Sequence, residues 1–210
     1  MTAGLLLTGG ASRRMGADKA LIELPGGSQG RQALAARTGR LLSEVAHPVF
    51  EIGPGASGLP AVPDPVAHAG PLAAMATGAG ALAGAGCQGW ALVVATDLPF
   101  LTVGLLRWLA EHPAPSAVVP VDTRGHPQVL CARYRLDDLL AAKALSAAGA
   151  KAARALLDVI EVAYAPPADW LEAAGRPDAL DDVDTPEDLA AARGRLAGPE
   201  APSERGRGPG

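Results

Sequence analysis

The chain has 210 residues, 49% of them hydrophobic but only 3% aromatic, and a formal net charge of −4. That is enough for one domain of ordinary size, with a core that must be built mainly from Ala, Leu and Val. The acidic balance and the lack of any basic run argue against a nucleic-acid partner. Cys87 and Cys131 lie far apart without CxxC spacing. Neither a disulfide framework nor a zinc site is therefore expected, and a cytoplasmic location is. The first residues lack the basic-then-apolar pattern of a secretion signal. No run reaches the roughly 18 apolar residues of a membrane helix, so no membrane contact is expected.

In chain order, AGLLLT (3–8), HPVFEI (47–52), WALVVA (90–95) and SAVVPV (116–121) are near-continuous aliphatic runs. Their length and composition suit strands buried on both faces. Between them, RQALAARTGRLLSEVA (31–46) and PLAAMATGAGALAGAG (71–86) read as helices. Strands alternating with helices predict a mainly parallel, doubly wound α/β sheet. Beyond Val121, PQVLCARY (127–134) reads as a strand and residues 136–145 and 151–157 as helices. DVIEVAY (158–164) reads as a further strand and TPEDLAAARGRL (185–196) as a last helix. Residues 198–210 have no apolar anchor and are expected to form a disordered tail, leaving 1–197 as a single domain.

The stretch LLLTGGASRRMGADKAL (5–21) leaves the first strand through a glycine turn carrying Arg13, Arg14 and Lys19. Glycines let backbone N–H groups approach an anion, and the cations add fixed charge, so a phosphate-rich ligand is the economical reading. Two familiar loops fail. Lys19 follows Asp18 with no Ser or Thr after it, against a Walker A, and the Gly9-Gly10 to Gly16 spacing does not make G-x-G-x-x-G. Asp97, in VVATDLPFLT, falls just past a buried strand, where it can reach the crevice as a metal-holding carboxylate or instead cap the helix starting near Thr102. In DDVDTPEDL, Thr185, Pro186 and Asp188 form a capping-box-like helix start that leaves Asp182 and Asp184 unexplained. Among the histidines, none has metal-ligand spacing.

The pattern G-G-x-S-x-R-M-G-x-D-K-A resembles the signature of nucleotidyltransferases, and most closely the molybdenum cofactor guanylyltransferase (MobA-like) family. Further matches are DPVAHAGPLAAM, the Asp97-Leu98-Pro99 element and Asp184-Thr185-Pro186. The resemblance implies a Rossmann-like three-layer αβα fold with a mainly parallel sheet. It implies transfer of GMP from GTP to molybdopterin cofactor with Mg²⁺ as cofactor. It also leaves room for transient contact with other proteins of molybdenum cofactor biosynthesis. By position, Leu7, Thr8, Gly9 and Gly10 would lie along the nucleotide, Arg14 and Lys19 on its phosphates, and Asp64 on the guanine edge. Asp97 would hold the metal, and Asp184 would be a second ligand or a change of polarity where the family has asparagine. Asp182 and His126, the latter in DTRGHPQ, would face the acceptor, although an exposed turn histidine reads equally well. The family's asparagine after its second strand is replaced by Glu51 and Gly53, so no base-binding residue is carried over there. A CTP-using relative, one acting on another phosphorylated acceptor, and a non-catalytic binder of nucleotide or cofactor all remain compatible with the loop.

Overall fold

The aliphatic runs become the middle of a seven-stranded sheet in the computed structural model, which describes residues 2–9, 19–25, 30–63 and 69–197. The strands are β1 (Ala3–Leu7), β2 (Glu23–Pro25), β3 (Arg31–Ala33), β4 (Val49–Ile52), β5 (Ala61–Val62), β6 (Trp90–Ala95), β7 (Ala117–Pro120), β8 (Cys131–Arg135) and β9 (Val162–Ala165). The helices are α1 (Leu34–Ser43), α2 (Pro71–Gly84), α3 (Val103–Glu111), α4 (Leu136–Ala147), α5 (Pro167–Ala174) and α6 (Pro186–Ala197). The sheet order is β5-β4-β1-β6-β8-β7-β9. β8 runs antiparallel to β6 and β7, and the other pairings are parallel.

Alternation along the strands divides the core between two faces. Leu5, Leu7 and Val93 pack with Leu72 and Met75 of α2 and Leu139 of α4. Leu6, Leu92 and Val94 face the other way, onto Leu42 of α1, Leu106 and Leu109 of α3 and Trp170 of α5. Three layers result, as the resemblance implied. The chain builds outward from β1 to β4 and β5, then crosses to β6 on β1's other side. That reversal opens a crevice beyond the carboxyl ends of β1 and β6, the usual place for a ligand in such sheets.

Several elements differ from the sequence expectation. α1 starts at Leu34 because residues 31–33 instead pair antiparallel with β2, an arrangement that also brings Arg31 within 3.1 Å of Glu23. The expected helix over 151–157 is only a 3-10 turn, Ala153–Leu156, and β9 starts at Val162 after a turn. α5 was hidden by Pro166 and Pro167. The second proline occupies the first helical position, where no N–H is needed, and Gly175 ends the helix at φ +70°. Its Trp170 is fully buried and donates Nε1–H to the carbonyl of Val121 at 3.0 Å. Gly70-Pro71 starts α2 as read from the sequence. A Cβ on Gly70 would sit 2.7 Å from the carbonyl oxygen of Lys151, and its φ of +94° suits glycine.

Trp170→Ala should cost about 3–5 kcal/mol of stability, because it removes the largest buried ring and leaves a cavity. Urea unfolding of variant and parent measures the loss.

Candidate active site

Lys19 lies in a 3-10 turn, Lys19–Leu21, beside the Asp97 turn at the mouth of the crevice. Its Nζ is 2.5 Å from Oδ1 of Asp184 and 3.8 Å from Oδ2 of Asp97. Asp97 follows the end of β6, and its carbonyl accepts a 2.9 Å hydrogen bond from the Val183 amide. That bond holds the Asp182–Asp184 segment against β6's exit. The helix-cap alternative for Asp97 does not hold: Thr102 Oγ1 accepts from the Leu105 amide at 3.2 Å and caps α3. A third of the Asp97 side chain (32%) still meets solvent. Loss of water around the rest pushes its carboxyl pKa up; the Lys19 ammonium opposes the rise, and the like charges of Asp182 and Asp184 add to it. Thr185 and Asp188 make the expected reciprocal cap: Asp188 accepts from the Thr185 amide at 2.9 Å, and Thr185 Oγ1 from the Asp188 amide at 3.1 Å.

Two buried carboxylates that sequence reasoning did not place at the site shape the loops around it. Glu51 is fully buried in β4. It accepts from Thr8 Oγ1 at 2.6 Å, from the amides of Gly55, Ala56 and Ser57 at 2.7–2.8 Å, and from the Ser57 hydroxyl at 2.5 Å. Burial raises its pKa, but the hydrogen bonds from Ser57, Thr8 and the loop amides outweigh that and hold the carboxyl below the ordinary glutamate range. Gly53 is needed at this seam, since a Cβ there would fall 2.1 Å from Thr8 Oγ1. Asp122, 2% exposed, does the same for the turn after β7. Its Oδ1 accepts from the amides of Arg124 (2.9 Å) and His126 (2.8 Å), and its Oδ2 from Gln128 Nε2 at 3.1 Å and from the Arg124 guanidinium. Arg124 also reaches Asp182 Oδ1 at 3.2 Å, linking this turn to the aspartate segment. The signals were present: GPGAS after Glu51 offers amides, and D-T-R-G is an aspartate turn.

The nucleotide-loop residues are only partly described. Leu7 is buried, so only its backbone reaches the strand end; Thr8 is buried with its hydroxyl committed to Glu51, and Gly9 is exposed. Gly10, Arg14 and Asp64 lie outside the described residues. Asp182 and Asp97 share a cavity of about 290 Å³ with Gln128 and Arg154. His126 is 71% exposed, with Nδ1 3.6 Å from Asp122 Oδ2, and it does not line that cavity.

Solved structures share the architecture. Molybdopterin-guanine dinucleotide biosynthesis protein A from Archaeoglobus fulgidus aligns with a TM-score of 0.74 at 20% identity, over 91% of this chain and 97% of that one. A 2-C-methyl-D-erythritol 4-phosphate cytidylyltransferase from Thermus thermophilus aligns at 0.61 and 20% identity, over 94% and 100%. The fold is that of a nucleotidyltransferase. Residues 4–165 match the MobA-like NTP transferase domain, and the chain belongs to that family. A Mycobacterium tuberculosis relative, named probable molybdenum cofactor guanylyltransferase, is 38% identical over 164 residues, covering 74% of this chain and 79% of the relative. Among the described residues, no helix is long and apolar enough to cross a membrane.

Because its pKa is depressed by folding, Glu51 stabilises the protein at neutral pH, and that stability is lost as pH falls below the ordinary glutamate range through the folded value. Glu51→Gln turns an amide N–H₂ toward loop donors and should cost about 2 kcal/mol or more at pH 7. Denaturation midpoints taken from neutral to acid pH should fall more steeply for the parent than for the variant.

Proposed function

We propose that the chain transfers GMP from GTP to the terminal phosphate of molybdopterin cofactor, releasing pyrophosphate and forming the guanine dinucleotide. The observation that carries this is Lys19 gathered with Asp97 and Asp184 at the β1/β6 crevice, in a family whose relatives bear that name. The acceptor phosphate oxygen attacks the α-phosphorus; the bond from that phosphorus to the β-phosphate oxygen breaks, and pyrophosphate departs. Lys19, and Arg14 by resemblance, neutralise charge that grows on the phosphates as this happens. The acceptor oxygen is already ionised, so no general base is demanded. Asp64, also by resemblance, would read the guanine edge. The cavity between Asp97, Gln128, Arg154 and Asp182 is the acceptor's seat in this reading, with His126 outside it. The cytoplasm is the compartment the reading implies.

The donor set suits a hard divalent cation. Asp97, Asp182 and Asp184 outnumber Lys19, and burial first, with the charges of Asp182 and Asp184 adding to it, raises the Asp97 pKa. Among the described residues, no three or more ligating side chains form a closed group. Asp97 and Asp184 are the residues that would hold Mg²⁺ in this reading, since hard carboxylate oxygens suit that ion. When bound, that ion supplies Lewis-acid stabilisation of phosphate charge.

Lys19→Ala should lower kcat/KM for the triphosphate at least tenfold, a loss of about 1.4 kcal/mol of transition-state binding. Asp97→Asn should abolish pyrophosphate release while leaving the thermal unfolding midpoint near the parent value. The identity of the substrates is tested by pyrophosphate release from a panel of nucleotides and phosphorylated acceptors. GTP with molybdopterin cofactor should be the productive pair; turnover of CTP instead, or of neither, overturns the reading.

A further inference from the structure

The family match ends at residue 165, yet Asp182 and Asp184 lie beyond it, on a segment fastened to the Asp97 turn through Phe100. Phe100 is three residues past Asp97 and 1% exposed. The guanidinium carbons of Arg176 and Arg195 lie 4.6 and 4.0 Å from its ring centroid. Two cations over one ring would repel each other, but Asp178 accepts hydrogen bonds from both. Those from Arg176, then Arg195, hold the Asp178 carboxyl below the ordinary aspartate range, so it stays ionised. Arg195 also donates to Asp181 at 3.2 Å. Phe100 packs with Val183 and Ala192, and the Val183 amide bonds the Asp97 carbonyl at 2.9 Å. The 97–100 turn is therefore gripped at both ends by residues 176–195.

α6 transmits the grip. Arg195 sits nine residues after Pro186, about 14 Å along the helix axis. Asp184 precedes the helix start, its amide bonded to Asp188 at 3.1 Å. Holding the far turn of a rigid helix fixes its near end. A surface arginine with one partner would do little; this one has a ring and two carboxylates.

We propose that Arg195, with Phe100 and Asp178, is a positioning device. By clamping α6 against the Asp97 turn, it sets how Asp184 meets Lys19 and Asp97, and hence the affinity for a nucleoside triphosphate. This rests on the reading that Lys19 and Asp184 border the phosphates. Arg195→Met, which keeps the aliphatic stem, should speed hydrogen exchange at the Val183 amide about tenfold while amides of β1 and β6 stay within about twofold. The same variant should raise the triphosphate KM about fivefold or more with kcat little changed, and Arg195→Lys should recover part of the loss. In an Asp184→Ala background, Arg195→Met should add less than about twofold, because the path to the site is already cut. Unchanged exchange at Val183 overturns the clamp, and a full-sized second loss in the Asp184→Ala background overturns the route through Asp184. The exchange measurement needs no nucleotide, so a failure of GTP as substrate would be seen separately, as a failure of the functional reading.

Discussion

The parallel pairing of β1 with β6, Leu7 beside Ala95, is the constraint on which the crevice depends. Both strands are aliphatic through the core and carry no polar side chain that could be left unpaired inside it. Their common register brings Thr8 and Gly9, at the exit of β1, and the turn holding Asp97 to the same edge of the sheet. A slip of β1 by one residue would turn Leu6 to the opposite layer. The chemistry at the mouth thus inherits its placement from packing several residues away.

Around that mouth, buried charge is used to shape backbone. Glu51 gathers the loop after β4 and the hydroxyl of Thr8; Asp122 gathers the turn after β7 and hands Arg124 to Asp182. Each carboxylate is compensated by several donors, which is what allows a full negative charge to stay in a largely water-free place. Asp97 is different. Its surroundings raise its pKa rather than lowering it, and the cation it pairs with, Lys19, is shared with Asp184. The contrast separates carboxylates that hold loops from one left partly uncompensated beside the crevice.

Much of the frame was legible because burial on both faces leaves a plain trace: short unbroken runs such as LLL and ALVVA suit inner strands. The start of α2 at Gly70-Pro71 and the Thr185–Asp188 cap were legible for the same local reason, since each is defined within a few residues. What escaped depended on distant partners. The β2/β3 pair is held by a cross-strand match, α5 by Trp170 reaching Val121, and the roles of Glu51 and Asp122 by amides their loops supply only when folded. The meeting of Lys19 with Asp184 belongs to the same class. Their motifs could be named from the sequence, but the contact between them could not be read from spacing.

That contact joins residues 165 positions apart. Closing so long a loop carries an entropic cost that the packing of the intervening sheet must offset. During synthesis β1 emerges well before Asp184 and α6. The crevice therefore joins segments made at well-separated times, and its charge balance is complete only once Asp184 has come to rest beside Lys19.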